Sequence, residues 1–412
     1  MNNNNKFDVI IVGAGPSGSM TGYYLARAGV RVAIFDKQRF PREKACGGGL
    51  QVKAVQRIPF DLKSVLRGTL RGITFSFGLG DQYSKTYHLP LFYSVLRIEF
   101  DNFLLESAQQ AGANVYDNVK VLSVESLKPD LVSVKTDAGE YLCNIVVGAD
   151  GANSVTRKSV NTVTDYFWQV GLYSEVPEEY LNTHTIDYEQ MRVDCGTIPS
   201  GYGWIFPKQG YCNIGAGCPT IIGYRLRSYL KEFLEHENVL KNGAVEKLLF
   251  SGHKLPTLTN ATKLYKQSII LVGDAAGLID PFTGDGISCA LQSSELAADA
   301  TLQNLNRGKF DFEEYETAVK SEIGSELRYS RKLMSFFITF PRMTYEVFKH
   351  SDKIWRAVCR IFRGEESYNV FRRKKLGPFE FVWHSIDKFT SFYERRRLME
   401  NRPEKNNPST RG

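Results

Sequence analysis

Gly13-Ala14-Gly15-Pro16-Ser17-Gly18 and the later Asp36, with Lys37 beside it, stand in the order a dinucleotide site requires. Gly13 suits a tight turn, Gly15 lets a pyrophosphate approach the backbone, and Gly18 lets a helix pack closely on a strand. A helix starting there turns its free N–H groups and positive dipole end to the phosphates, and Asp36 can accept a ribose hydroxyl. A second constellation is Lys44-Ala45-Cys46-Gly47-Gly48-Gly49. Its glycines permit close approach to a flat ligand, and Cys46 is the side chain nearby with ready proton chemistry. A third is Pro199-Ser200-Gly201-Tyr202-Gly203-Trp204-Ile205-Phe206-Pro207. In a strand Tyr202, Trp204 and Phe206 share one face and make an aromatic wall, although core packing alone would also explain such a face.

The flanking patterns say which elements carry these residues. Residues 8–12 read as a buried parallel strand, 19–28 as a helix, and 30–35 as a second strand ending in Asp36. More than two hundred residues later, Ile269-Ile270-Leu271-Val272 runs into a Gly273-Asp274 corner. Pro281-Phe282-Thr283-Gly284-Asp285-Gly286 follows, and then a small-residue helix opening at Ile287 and reaching about residue 300. Asp274 at a strand end can accept from a ribityl hydroxyl, and Gly284 and Gly286 let backbone N–H groups reach a cofactor. Val146-Val147-Gly148-Ala149-Asp150-Gly151 is a further strand-to-turn corner, where Asp150 also suits a simple turn. Arg97 sits where another helix begins. NAD and FAD share the first fingerprint, so the later motifs must decide between them.

Together these four motifs resemble the flavoprotein superfamily of aromatic hydroxylases and geranylgeranyl reductases, over about the first three hundred residues. The resemblance implies FAD, with its ADP half on the first turn and its ribityl chain near Asp274. It also implies that Arg97 touches the cofactor and that Asp150-Gly151 is a shared signature. The Cys-Gly-Gly run with Tyr-x-Trp-x-Phe-Pro is similar to the geranylgeranyl reductase family. There the cysteine loop lies beside the isoalloxazine and the aromatic strand lines a prenyl tunnel. By that likeness Cys46 is catalytic, while Gly47, Gly48, Tyr202, Trp204 and Phe206 face the substrate. The implied reaction saturates isolated C=C bonds of a polyprenyl lipid. Reduced flavin gives the hydride, Cys46 stands in the proton path, and Tyr202 and Trp204 stabilise developing positive charge. Nothing in the sequence selects among chlorophyll-precursor, ether-lipid, quinone or free diphosphate head groups.

Two other readings share the fold. A flavin monooxygenase or halogenase is one, although halogenases carry Trp-x-Trp-x-Ile-Pro and this chain departs at the first and fifth positions. A lipid-binding flavoprotein without turnover is the other. A second nicotinamide fingerprint is missing, because Gly215-Ala216-Gly217 is followed at position 220 by Thr220. The electron donor is therefore either transiently docked NAD(P)H or a ferredoxin.

The expected fold class is α/β: a Rossmann-type FAD-binding domain, a mainly antiparallel sheet domain for the substrate, and a helical C-terminal region. The FAD domain is expected to be discontinuous, at 6–75, 95–160 and 265–300. Residues 76–94 and 162–262 would form the sheet domain, with strands at 169–176, 183–188, 192–198, 203–206 and 211–216. Residues 301–400 read as helical, and 401–412 as a disordered tail. Charge is uneven: from Arg328 onward there are 20 Lys+Arg against 9 Asp+Glu, while the rest of the chain is net acidic. That basic region is rich in aromatics, which suits either an anionic membrane surface or a helical cap. Nucleic acid is not expected, since no recognition module accompanies the charge. No apolar run reaches the roughly 18 residues of a membrane span. The polar start gives no sign of a signal peptide. Seven scattered cysteines without a C-x-x-C pair argue against a metal site and for a reducing cytoplasm, with peripheral membrane contact the alternative.

Overall fold

The computed structural model describes residues 5–160, 166–259 and 262–373, with side chains as far as residue 370. The N-terminal strand, Lys6–Val12, is buried along almost its whole length, as a parallel strand covered on both faces must be. It pairs in parallel with Val32–Phe35 on one side and Gly139–Gly148 on the other. Asn114–Tyr116 and Ile269–Leu271 extend the parallel set outward, Tyr265–Lys266 closes one edge, and Leu131–Thr136 and Val121–Lys128 add an antiparallel pair. The helix Pro16–Arg27 packs between Arg97–Gln110 and Ile287–Arg307. Three chain segments far apart in sequence thus meet at the C-terminal ends of the parallel strands, where ligands of such sheets bind.

The second sheet runs Ser251–Leu258, Tyr166–Pro177, Tyr211–Pro219, Tyr202–Lys208, Gln190–Cys195, Gly72–Phe77, Asp81–Thr86. All its pairs are antiparallel except that between Gln190–Cys195 and Gly72–Phe77. One face buries Ile205, Ile214 and Ala216 under the helix Leu226–Glu237. By the two-residue alternation of strands, the opposite face carries Tyr202, Trp204, Phe206 and Lys208. In register beside them come Asn213, Gly215 and Gly217, and then Gly171, Tyr173 and Glu175. Gly72–Phe77 straddles the boundary expected at 75 and belongs to this sheet. The strand expected at 183–188 is absent; its start is the 3₁₀ turn Thr183–Thr185, ahead of the strand beginning at Gln190. A small third sheet, Gly49–Gln51, Phe92–Val95 and Leu66–Leu70, joins the cysteine loop to the start of the Arg97 helix.

The described C-terminal helices are Glu313–Thr339, Pro341–His350, Asp352–Phe362 and Tyr368–Arg373. Most of the aromatics described in this region turn inward, although Phe340 stays exposed. Trp355 is buried, donates from Nε1 to the Thr86 carbonyl (2.8 Å) and meets Phe75 edge-on, while Phe362 packs on Phe92. Arg342 and Lys349 pair with Asp81 at 3.0 and 2.8 Å. As far as Tyr368 the basic region is therefore a cap on the antiparallel sheet. The basic run Arg372-Arg373-Lys374-Lys375 lies outside the described side chains, as do the aromatics from Phe371 onward. Among the described residues no helix is long and apolar enough to cross a membrane, and no cluster of His, Cys, Asp and Glu could hold a metal.

Candidate functional site

The glycine turn has the build of a phosphate cradle. Gly13 adopts φ +103°, and a Cβ there would lie 2.4 Å from the Ala149 carbonyl oxygen. A Cβ on Gly18 would lie 1.9 Å from the carbonyl oxygen of Gly13, so turn and helix can meet only without one. Gly15 differs: its Cβ would meet nothing nearer than Arg42, at 3.8 Å, leaving open space above the helix N-terminus. Pro16 opens that helix and has no N–H to lose, and Ser17 lies under the neighbouring Gly273 corner. Asp36 accepts from the Ala14 N–H (2.8 Å) and the Gln38 N–H (2.9 Å), which aims its carboxylate across the turn. Lys37 beside it is exposed.

The remote corner reaches the same place. A Cβ on Gly273 would strike the Ser17 hydroxyl at 2.7 Å, and one on Gly286 would lie 3.1 Å from Asp274 Oδ1. Asp274 thus sits between the N-termini of the Pro16 and Ile287 helices. Burial works against its charge, but His253 and Lys44 hold the carboxyl below the ordinary range. His253 lies 3.7 Å from Asp274 Oδ2 and 2.8 Å from the Lys44 ammonium. Burial pushes Lys44 down to about 8, against the opposing pull of Asp274. Asp150 spends its carboxylate within its own turn, accepting from Ser154 and from the backbone of Val155 and Thr156. That is the work of a turn and helix cap, while the preceding Ala149 backbone packs on Gly13. Arg157, which no sequence motif singles out, ties this corner to the other. Its guanidinium donates to the carbonyls of Ala152, Asp274 and Ala275.

A charged string runs from the glycine turn to the cysteine. Arg42, beside Gly15, pairs with Asp101 at 3.1 Å. Asp101 accepts two 2.7 Å bonds from Arg97, and Arg97 lies against Cys46. The cysteine run itself meets protein. A Cβ on Gly49 would strike Phe206 at 2.6 Å and one on Gly48 would sit 2.7 Å from Lys208 Nζ, whereas one on Gly47 would only touch Phe206 at 3.4 Å. Gly48 and Gly49 are needed so that the loop can lie flat on the aromatic strand. The Gly48 N–H donates to Cys46 Sγ at 3.3 Å.

The Tyr202–Lys208 strand is the spine of the site. The Tyr202 hydroxyl donates to the Thr283 carbonyl at 2.6 Å, fixing the loop that holds Gly284. Trp204 lies over Gly215, where a Cβ would strike the indole at 2.4 Å, and over Gly171 and Gly217. Phe206 is pinned beneath the cysteine loop, and Lys208 is buried against Glu175 at 2.7 Å. Beyond Phe206 an apolar layer of Phe92, Met191, Trp355 and Phe362 continues outward.

Asp280 organises the loop before Ile287. Its Oδ1 accepts from the backbone N–H groups of Phe282 and Thr283 and from the Ser330 hydroxyl, and Oδ2 accepts from the Tyr368 hydroxyl (3.0 Å). Burial, with Asp280 adjacent, drives the Tyr368 phenol well above its usual value, so it is a neutral donor. Tyr368→Phe should leave a buried carboxylate oxygen unpaired and lower stability by about 1–3 kcal/mol. Thermal unfolding measures this, and an unchanged midpoint would show that the contact contributes nothing.

Residues 6–60 match the family described as FAD binding domain. The fold is that of a geranylgeranyl bacteriochlorophyll reductase-like protein of Thermoplasma acidophilum, with a TM-score of 0.70, 22% identity, and 81% of this chain and 88% of that one covered. A digeranylgeranylglycerophospholipid reductase of Methanocaldococcus jannaschii is 29% identical over 352 residues, covering 80% of this chain and 87% of that one. A menaquinone reductase of Mycolicibacterium smegmatis is 31% identical over 321 residues, covering 72% of this chain and 76% of that one. The chain belongs to the geranylgeranyl reductase family of FAD-dependent oxidoreductases. It is accordingly an FAD-dependent reductase of the group that acts on C=C bonds. The residues present fit FAD: the space above Gly15 would admit a pyrophosphate that any Cβ-bearing residue would obstruct. Asp36 and the ionised, largely buried Asp274 stand as acceptors for hydroxyl groups on either side.

Proposed function

We propose that this geranylgeranyl reductase family member saturates isolated double bonds in the polyprenyl chain of a lipid. The observation that carries the reading is the Cys46 loop lying flat on the Trp204–Phe206 strand, with an apolar layer leading away from it. Gly13 to Gly18 with Asp36 would hold the ADP half of FAD, and Asp274, Gly284, Gly286 and Ile287 the rest. When bound and reduced, that cofactor supplies a hydride. Saturation also needs a proton, because an isolated alkene has no electron sink to accept hydride alone. Cys46 is the group on the loop that can hold one and pass it to the second alkene carbon. The Tyr202 and Trp204 rings would stabilise the positive charge that develops on the other carbon, the one that receives the hydride.

A menaquinone or a digeranylgeranylglycerophospholipid, the compounds in the names of two relatives, would fall within this substrate class. Electrons come from NAD(P)H docking transiently or from a ferredoxin, and dithionite replaces either in a test. After anaerobic incubation with dithionite and a panel of prenylated quinones, ether lipids and diphosphates, mass spectrometry should show a chain gaining hydrogen in pairs. No mass gain with any prenyl substrate would sink the proposal.

A further inference from the structure

One buried amide joins the cysteine loop to the aromatic strand. Asn213 has no exposed surface. Its Nδ2 donates to the Cys46 carbonyl at 3.0 Å and to Glu175 Oε2 at 3.1 Å, and its Oδ1 accepts from the Trp204 indole N–H at 2.8 Å. Lys208, 1% exposed, donates to the same Glu175 oxygen at 2.7 Å. The other carboxylate oxygen is buried and has no partner. On this face of the strand the next residues are Gly215 and Gly217, which make room for the indole but cannot hold it in place.

A buried ion pair is an expensive way to fill space, since apolar side chains of the same volume are often more stable there. Here it does something apolar packing cannot. The Asn213 amide can be turned two ways, and the wrong one sets its oxygen against the Cys46 carbonyl. The Glu175 carboxylate, held by Lys208, accepts one amide N–H and so selects the orientation that gives the other to Cys46. The same turn presents the amide oxygen to Trp204. Loop and wall therefore cannot shift independently.

We propose that Asn213, backed by the Glu175–Lys208 pair, is a positioning residue that fixes the Cys46 loop relative to the Trp204 indole. This rests on the reading above that Cys46 and Trp204 meet the same alkene, and it adds three residues that act through them. The test pairs a chemical probe with kinetics on FAD-loaded protein. Iodoacetamide labelling, followed by peptide mass spectrometry, reports the reactivity of Cys46, with added glutathione as the reference thiol. Asn213→Leu should raise the Cys46 labelling rate about tenfold, the scale of one lost hydrogen bond, with glutathione labelling unchanged. It should slow single-turnover alkene reduction by about 10- to 100-fold while half-saturating substrate and the flavin-reduction rate stay within about threefold. Asn213→Asp has the same volume, keeps the acceptor for Trp204 and loses the donor to Cys46, so it should act in the same direction even if the leucine variant fails to fold.

Cys46 labelling unchanged in both Asn213 variants would overturn the proposal. So would a fall in FAD content or flavin reduction in step with the alkene step, which marks a merely structural role. If the wild type reduces no prenyl alkene, the proposed function falls, and the labelling result still decides whether Asn213 holds the loop.

Discussion

Gly15→Val should give a folded but colourless protein, with FAD affinity weakened by more than about 100-fold, or ~2.7 kcal/mol. The apoprotein has room for the substitution, because a Cβ at this position meets only Arg42, at 3.8 Å. The backbone there is extended (φ −74°, ψ −178°), which a β-branched residue adopts readily. The loss of glycine at the helix cap costs about 1 kcal/mol at most. The valine branches instead fill the space over the helix N-terminus that a pyrophosphate needs. Gly18→Ala makes the contrast, since its Cβ would lie 1.9 Å from a carbonyl oxygen and must displace the helix. Flavin absorbance of the purified protein, calorimetric titration with FAD and circular dichroism separate these outcomes. A Gly15→Val protein that keeps its full complement of FAD would show that the cofactor is not held on this turn.

Cys46→Ala and Cys46→Ser should both leave flavin reduction unchanged and slow alkene reduction by about 10²- to 10⁴-fold, the usual contribution of a positioned acid. The side chain lies between Arg97 and the glycine loop, and its thiol accepts from the Gly48 N–H. Serine keeps that hydrogen bond but is a far weaker acid, so it should not rescue the rate. Rapid mixing of each half-reaction makes the comparison. Equal alkene rates in the wild type and both variants would remove Cys46 from the proton path and leave solvent as its source.

What the sequence revealed and what it hid follow from the range of the interactions. Gly13 to Gly18 and Asp36 lie on adjacent strand, turn and helix, so their spacing alone shows how they meet. The Gly273-Asp274 corner was visible as a strand end, and the alternation of Tyr202, Trp204 and Phe206 as one strand face. The glycines after Cys46 were legible as glycines but not in their purpose, because the Phe206 and Lys208 that they accommodate lie about 160 residues away. Asn213, Glu175 and Lys208 come from three strands, and only sheet register brings them together. His253 was one dispersed histidine until the edge strand placed it between Lys44 and Asp274. Asp280 and Tyr368 are 88 positions apart, and no local pattern joins them. The basic C-terminal region showed its charge but not its fold; Trp355 and Phe362 face the sheet because the Phe75 and Phe92 side chains need cover.

The central claim is that this site passes reducing equivalents to an isolated prenyl alkene. Its most direct test is a single anaerobic turnover, in which dithionite-reduced protein, freed of excess reductant, is mixed with a prenylated quinone or ether lipid. The yellow colour of oxidised flavin should return in proportion to the substrate reduced, with one double bond saturated per flavin reoxidised. If the colour returns only when oxygen is admitted, and the recovered chain is unsaturated or oxygenated, the protein is not an alkene reductase.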